Sequence, residues 1–295
     1  MILDPIRAAI RRRISDVFND ADKGERPVLR RADALFPPDS VAWRVNGDVV
    51  TMMIGGVSGL LLQMLHPAVL AGVWDHSDFR ADMHGRLRRT AKFIAVTTYD
   101  HAEAGQAAID KVNRIHAKLG GALPDGTAYR VSDPALLAWV HVTETISFLD
   151  AWIRYAEPAM PRAEQDAYFD EMARVGQALG ASPLPRTRAE AEAVIESFRP
   201  VLRADARTRE VADMVMRQRI GAPAVDAAAG VIIRPASTCC RPGPRRCTGS
   251  ARPCPPGGAR RRPDHRPLHP LGLRRLSQPA HSRARRHHVR ATYRS

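Results

Sequence analysis

Residues 101–119 read HAEAGQAAIDKVNRIHAKL, and residues 133–155 read DPALLAWVHVTETISFLDAWIRY. In the first stretch Ile109, Val112, His116 and Leu119 recur at intervals of three and four, which is the spacing of one helical face. In the second, Asp133 and Pro134 supply a capping acceptor and a first-turn proline, and the apolar pattern then runs on to Tyr155. Strand signals are nearly absent along the main body. Ala, Leu, Arg and Glu dominate, so the fold class read from the sequence is all-α, a single helical domain.

Working outward, the periodicity predicts a helix over 4–19, with Ile6, Ile10, Ile14 and Val17 on one face behind Asp4-Pro5. It predicts further helices near 51–65, just after Pro67, over Asp82 to Thr98, over Pro161 to Leu179, over Arg188 to Phe198 and over Arg203 to Gln218. Gly120-Gly121 ends the helix that carries His116. Leu123-Pro124-Asp125-Gly126 is read as a turn. Gly55, Gly56 and Gly59 sit inside an apolar helical run, where close helix packing explains them better than a phosphate loop does.

The formal charge of +14 is concentrated in one place. Residues 235–295 hold fifteen arginines, no lysine and a single acid, Asp264, with all four cysteines and ten of the 23 prolines. Removing them from the chain's 45 basic and 31 acidic residues leaves thirty of each in 1–234. The body is therefore neutral and offers no electrostatic case for specific nucleic-acid binding. A basic-tail nucleic-acid binder survives only as a rival reading that deletion of 235–295 would test.

The chain thus divides into a helical domain, 1–234, and an Arg/Pro-rich tail, 235–295. The tail lacks a periodic apolar face and is expected to be disordered. The abrupt change is read either as a natural basic tail or, the favoured reading, as a slip of reading frame near Pro235, since a frame two bases on can spell Gly-Val-Asp-Leu-Leu-Pro-Pro-Trp-Ala. The cysteines lack paired Cys-x-x-Cys spacing, so no zinc site is expected.

Residues 1–20 contain no uninterrupted apolar run of the kind a secretory leader needs. Pro67 interrupts the most apolar stretch, 49–74, which argues for a buried helix over a membrane span. A cytoplasmic protein is expected.

The residues that carry chemistry lie between His66 and His141. Arg86, Arg89 and Thr90 fall at i, i+3 and i+4, on one helical face. Two guanidiniums facing a pocket suit carboxylates, whereas a solvated face paired with Asp82 or Glu103 is the plainer alternative. His116 points inward on its helix, and a buried imidazole needs either a carbonyl partner or a metal. His141 lies one turn from Leu137 on the helix opened by Pro134, and His66 closes the run Leu60, Leu61, Leu62, Met64, Leu65. His66 is expected to line the pocket, and Asp75 and Ser77 to cap the turn before the next helix.

Taken together, His66-Pro67, Asp75-His76-Ser77, the Arg86 to Thr90 segment, Val112-Asn113-Arg114-Ile115-His116-Ala117 and Trp139-Val140-His141 resemble the oxygenase MpaB and rubber oxygenase (latex clearing protein) family. The resemblance is strongest over residues 40–220. It implies a globin-like haem pocket, haem b as cofactor, O2 as co-substrate and a small apolar, isoprenoid-like substrate.

It also implies His116 as the proximal iron ligand with His141 as its rival, and Arg86 and Thr90 beside the haem. The chain departs from the family at Asn113 and Gly120, where arginines are usual, and at Arg89, where rubber oxygenases carry lysine. A guanidinium has no free lone pair, so Arg89 cannot cap the iron as that lysine does. The alternative reading is a haem-free or inactive helical binding or scaffold protein of the same fold.

Overall fold

A computed structural model describes residues 27–217 of the chain. The chain divides into two compact units, Met1–Gly243 and Pro244–Ser295, and every described residue belongs to the first. The expected 4–19 helix and the Arg/Pro-rich tail lie outside the described residues.

The sequence explains where the helices begin. Helix α1 (Val41–Val45) starts at Ser40, whose hydroxyl accepts from Trp43 N–H. Its first amides, on Val41 and Ala42, donate to the Glu171 carboxylate from a distant helix. Helix α2 (Val49–Gln63) is capped by Asp48, and α3 (Pro67–His76) opens on Pro67. Helix α4 (Met83–Tyr99) is capped by Asp82, which accepts from Gly85 N–H at 2.7 Å. A Cβ at Gly85 would collide with that carboxylate, so the cap needs glycine there. Helix α5 (Ala102–His116) turns back against α4.

Helix α6 (Pro134–Tyr155) is capped by Asp133 and spans the predicted limits, while α7 is Arg162–Ala178. Helix α8 (Arg188–Phe198) starts at Thr187, and Glu190 reaches back to Arg186 N–H. Helix α9 (Ala206–Met216) begins at Asp205, somewhat later than the periodicity suggests. Each acceptor satisfies an amide that the first helical turn leaves free.

One element departs from the expectation. Helix α5 stops at His116 with Ala117 as its cap, short of the expected Leu119, and Gly120-Gly121 enters a strand instead: β1 (Gly120–Ala122) pairs antiparallel with β2 (Ala128–Arg130) around the Leu123–Gly126 turn. Gly126 takes φ +89°, which a glycine accommodates without strain. The domain is all-α with this small hairpin attached.

The core is built on α6, which packs chiefly against α2. Ala138, Trp139, Val142 and Leu149 are completely buried on it. The two backbones meet closely because α2 presents glycines. A Cβ at Gly55 would lie 2.7 Å from Phe148 Cα, and one at Gly59 3.3 Å from Glu144 Cα. Helices α2 and α3 are bent by 106° at the break before Pro67. Among the described residues no single helix is long and apolar enough to cross a membrane, and this bent pair passes that test only when its two halves are taken together.

The glycine contact yields a paired prediction. Gly55→Ala must push α2 off Phe148 and should cost about 1–3 kcal/mol, as overpacking does. Gly56→Ala meets only Phe148 Cε1, at an ordinary 3.7 Å, and should be neutral or gain up to about 1 kcal/mol from helix propensity. Thermal unfolding followed by circular dichroism separates the two; an equal Tm for both variants would remove the close contact as the basis of the core.

Candidate functional site

Between α2 and α4 lies a cavity of about 380 Å³, within the usual range for small-molecule sites. Met52, Met53, Val57 and Leu60 of α2 and Leu87, Ile94 and Ala95 of α4 form its apolar walls, with Phe148 of α6. Its polar lining comes from Arg30, Asn46, Gln63, Arg86, Thr90, Lys92, Tyr99 and Glu144. Along α4 the lining runs from Arg86 to Tyr99, about 20 Å at the rise of an α-helix.

Of the residues singled out in the sequence, Arg86 and Thr90 line this cavity. Arg86 Nη1 donates to Ser77 Oγ at 3.2 Å, and no described carboxylate pairs with it. Burial, with the nearby charge of Arg89, pulls its pKa below the ordinary arginine value. Thr90 is exposed at the rim and donates to the Arg86 carbonyl.

Arg89 behaves otherwise: its side chain is 67 % exposed and lies 3.7 Å from Asp82. The three-residue step turns it off the cavity face toward the helix cap, so the solvated alternative holds for Arg89. Ser77 and Asp75 also differ from expectation. Asp82 is the cap of α4, Ser77 receives Arg86, and Asp75 accepts from Tyr129 Oη at 2.7 Å.

The three histidines occupy three different environments, and none lines the cavity. His66 was expected in the pocket. Its Nδ1 instead accepts from Ala68 N–H as the cap of α3, and its ring packs against Trp139 and Phe198. His141 is buried and faces α7, where a Cβ on Gly176 would come within 3.0 Å of its Nε2. Burial pushes its pKa down to about 4.

His116 ends α5, half-buried, with its Nδ1 sealed from solvent and without a hydrogen-bond partner among the described residues. Burial lowers its pKa as well. His116 and Arg86 stand on consecutive helices, α5 and α4, that pack against each other.

A haem needs an imidazole lone pair for iron and positive charge for its propionates. His116 and Arg86 fit that need in kind. One is a neutral imidazole with an unpartnered buried nitrogen, the other a guanidinium without a carboxylate. Among the described residues, no group of three or more His, Cys, Asp or Glu side chains is arranged to hold a bare metal ion.

Glu144 was not singled out from the sequence. It is the only acid or base other than histidine between Pro134 and Leu149, and a lone charge inside such an apolar run is a signal that could have found it. It faces the cavity, which leaves it some accessible surface, yet burial pushes its carboxyl up to about 7. Tyr99 is also pushed up to about 12 by burial, and Arg30 stacks over its ring at 4.8 Å.

His141 and Glu144 lie three residues apart and titrate in opposite senses. A histidine whose folded pKa is depressed stabilises the fold fully above about pH 6.5 and loses that contribution as pH falls toward 4. A carboxyl whose folded pKa is raised does the reverse: its contribution is complete below about 4.5 and fades as pH rises toward 7. Between pH 5 and 6.5 the two slopes oppose each other, each near 1.4 kcal/mol per pH unit. Glu144→Gln should therefore leave the histidine slope uncovered, with stability in urea rising by more than about 1 kcal/mol over that interval while the parent chain changes less. Matching profiles would show that Glu144 does not titrate in this range.

A family model described as the catalytic domain of ER-bound oxygenase mpaB/B' and rubber oxygenase matches residues 43–286. The match covers Arg86, Thr90, His116, His141 and Glu144 and runs beyond the change of composition at 234. No curated protein and no solved structure matches the chain. With most of its length under that one model, the chain belongs to the mpaB and rubber oxygenase family, and the domain it carries is an oxygenase catalytic domain.

Proposed function

We propose that this chain is a haem b-dependent oxygenase that uses O2 to oxidise a small apolar substrate. The observation that carries the reading is His116, whose buried Nδ1 has no partner among the described residues and whose surrounding Val-x-x-Ile-His-Ala segment resembles the family's proximal-ligand segment. Desolvation favours the neutral imidazole, and the lone pair that a metal requires is then free.

Arg86 would hold a propionate through charge-assisted hydrogen bonds, the pairing for which its guanidinium now has only Ser77. Thr90 stands one turn on, at the cavity rim. When bound, haem supplies the oxygen-activating redox chemistry that side chains lack. The rest falls to the chain itself. The apolar walls from α2 and α4 exclude water and receive the substrate, while the α2–α6 contact holds their shape. His141, neutral and packed on α7, serves as support in this arrangement.

A second reading is favoured by one observation: His116 is not among the residues that wall the cavity. On that reading the chain is a haem-free helical protein that binds an apolar ligand. The absorption spectrum of the purified protein decides. A Soret band is expected in the parent chain and should vanish in His116→Ala while far-UV helicity persists, with His141→Ala retaining part of it. A full band in His116→Ala, with loss in His141→Ala, would move the iron to His141. A parent chain that takes up no haem would leave the binding-protein reading.

Arg86→Ala should weaken haem retention several-fold, whereas Arg89→Ala, on the solvated side, should change it little. Equal effects on haem loss to apomyoglobin would refute the role given to Arg86.

A further inference from the structure

We propose that Glu144 selects the cavity's ligand by hydrogen bonding to a hydroxyl or carbonyl oxygen on an otherwise apolar molecule. The proposal takes the cavity as the substrate chamber of the oxygenase proposed above and narrows its substrate class from hydrocarbon to oxygenated hydrocarbon.

The uncharged polar groups of the wall bond within the protein. Asn46 donates to Thr98 and accepts from Tyr168. Gln63 donates to the Val140 carbonyl, Tyr99 to the Trp43 carbonyl, and Thr90 to the Arg86 carbonyl. Glu144 has no hydrogen bond or ion pair to any described residue. A carboxyl deep in an apolar wall is costly without a partner, and a ligand oxygen would provide one.

The ligand's chemistry follows from the charges that share the cavity. Arg30, Arg86 and Lys92 also line it. Those three cations oppose an amine ligand, and an ionised Glu144 would repel a ligand carboxylate. A neutral oxygen function escapes both penalties. It can accept from the protonated carboxyl, and an alcohol can also donate to the ionised one.

The backbone that carries the carboxyl is held in place. Gly59 approaches the Glu144 backbone closely, so the α2–α6 contact holds this turn of α6 against the cavity.

Calorimetric titration of the full chain with hexanol and chlorohexane tests this, since the two match in heavy-atom count and only hexanol exchanges hydrogen bonds well. The parent chain should bind hexanol about ten-fold more tightly than chlorohexane. Glu144→Leu should bind both about equally, and Glu144→Gln, which keeps a donor and an acceptor, should retain the preference. An unchanged preference in Glu144→Leu, or failure of both probes to bind the parent chain, would overturn the proposal. A chain without a Soret band that still prefers hexanol through Glu144 would remove the haem reading while upholding this one.

Discussion

The close approach of α2 to α6 is the constraint on which the rest of the structure depends. Gly55 and Gly59 let the two backbones meet, and a side chain at Gly55 would occupy the space of Phe148. That contact fixes which face of α6 looks toward α2, and so it aims Glu144 and Phe148 into the cavity. Nearer the N-terminus of α6, His141 is pressed onto Gly176 of α7. One helix therefore serves two neighbours through small residues on each. Burial shifts two of its titratable groups, His141 and Glu144, in opposite directions.

How much of this was legible follows from the physics of each element. The helices could be read because their apolar faces repeat every three to four residues and because Asp48, Asp82, Asp133, Thr187 and Asp205 mark their starts. The hairpin at 120–130 could not. Strands of three residues show no alternation, and its register rests on Tyr129 reaching Asp75 from another part of the chain.

In the site, Arg86 and Thr90 were legible as one turn of a single face. Arg89 was misassigned because spacing alone says nothing about the Asp82 carboxylate that draws it outward. His66 was misplaced for a related reason: an imidazole that ends an apolar run can cap the next helix as readily as line a pocket. Glu144 was not legible because a lone acid in an apolar helix can face solvent as readily as a cavity, and the sequence alone does not say which.

The elbow between α2 and α3 has a consequence for how the chain must be assembled. The Met64 carbonyl there accepts from the Thr208 hydroxyl at 3.5 Å across 144 residues, and the Leu65 carbonyl accepts from Arg203 N–H at 2.8 Å. His66, just beyond, packs on Phe198. During synthesis the bend at Pro67 therefore leaves the ribosome long before the segments that cover its carbonyls. Until residue 208 emerges, an apolar α2 has its central partner α6 but no roof over its end. Contacts of such separation close late and slowly, and the exposed elbow is where a nascent chain would call on a chaperone.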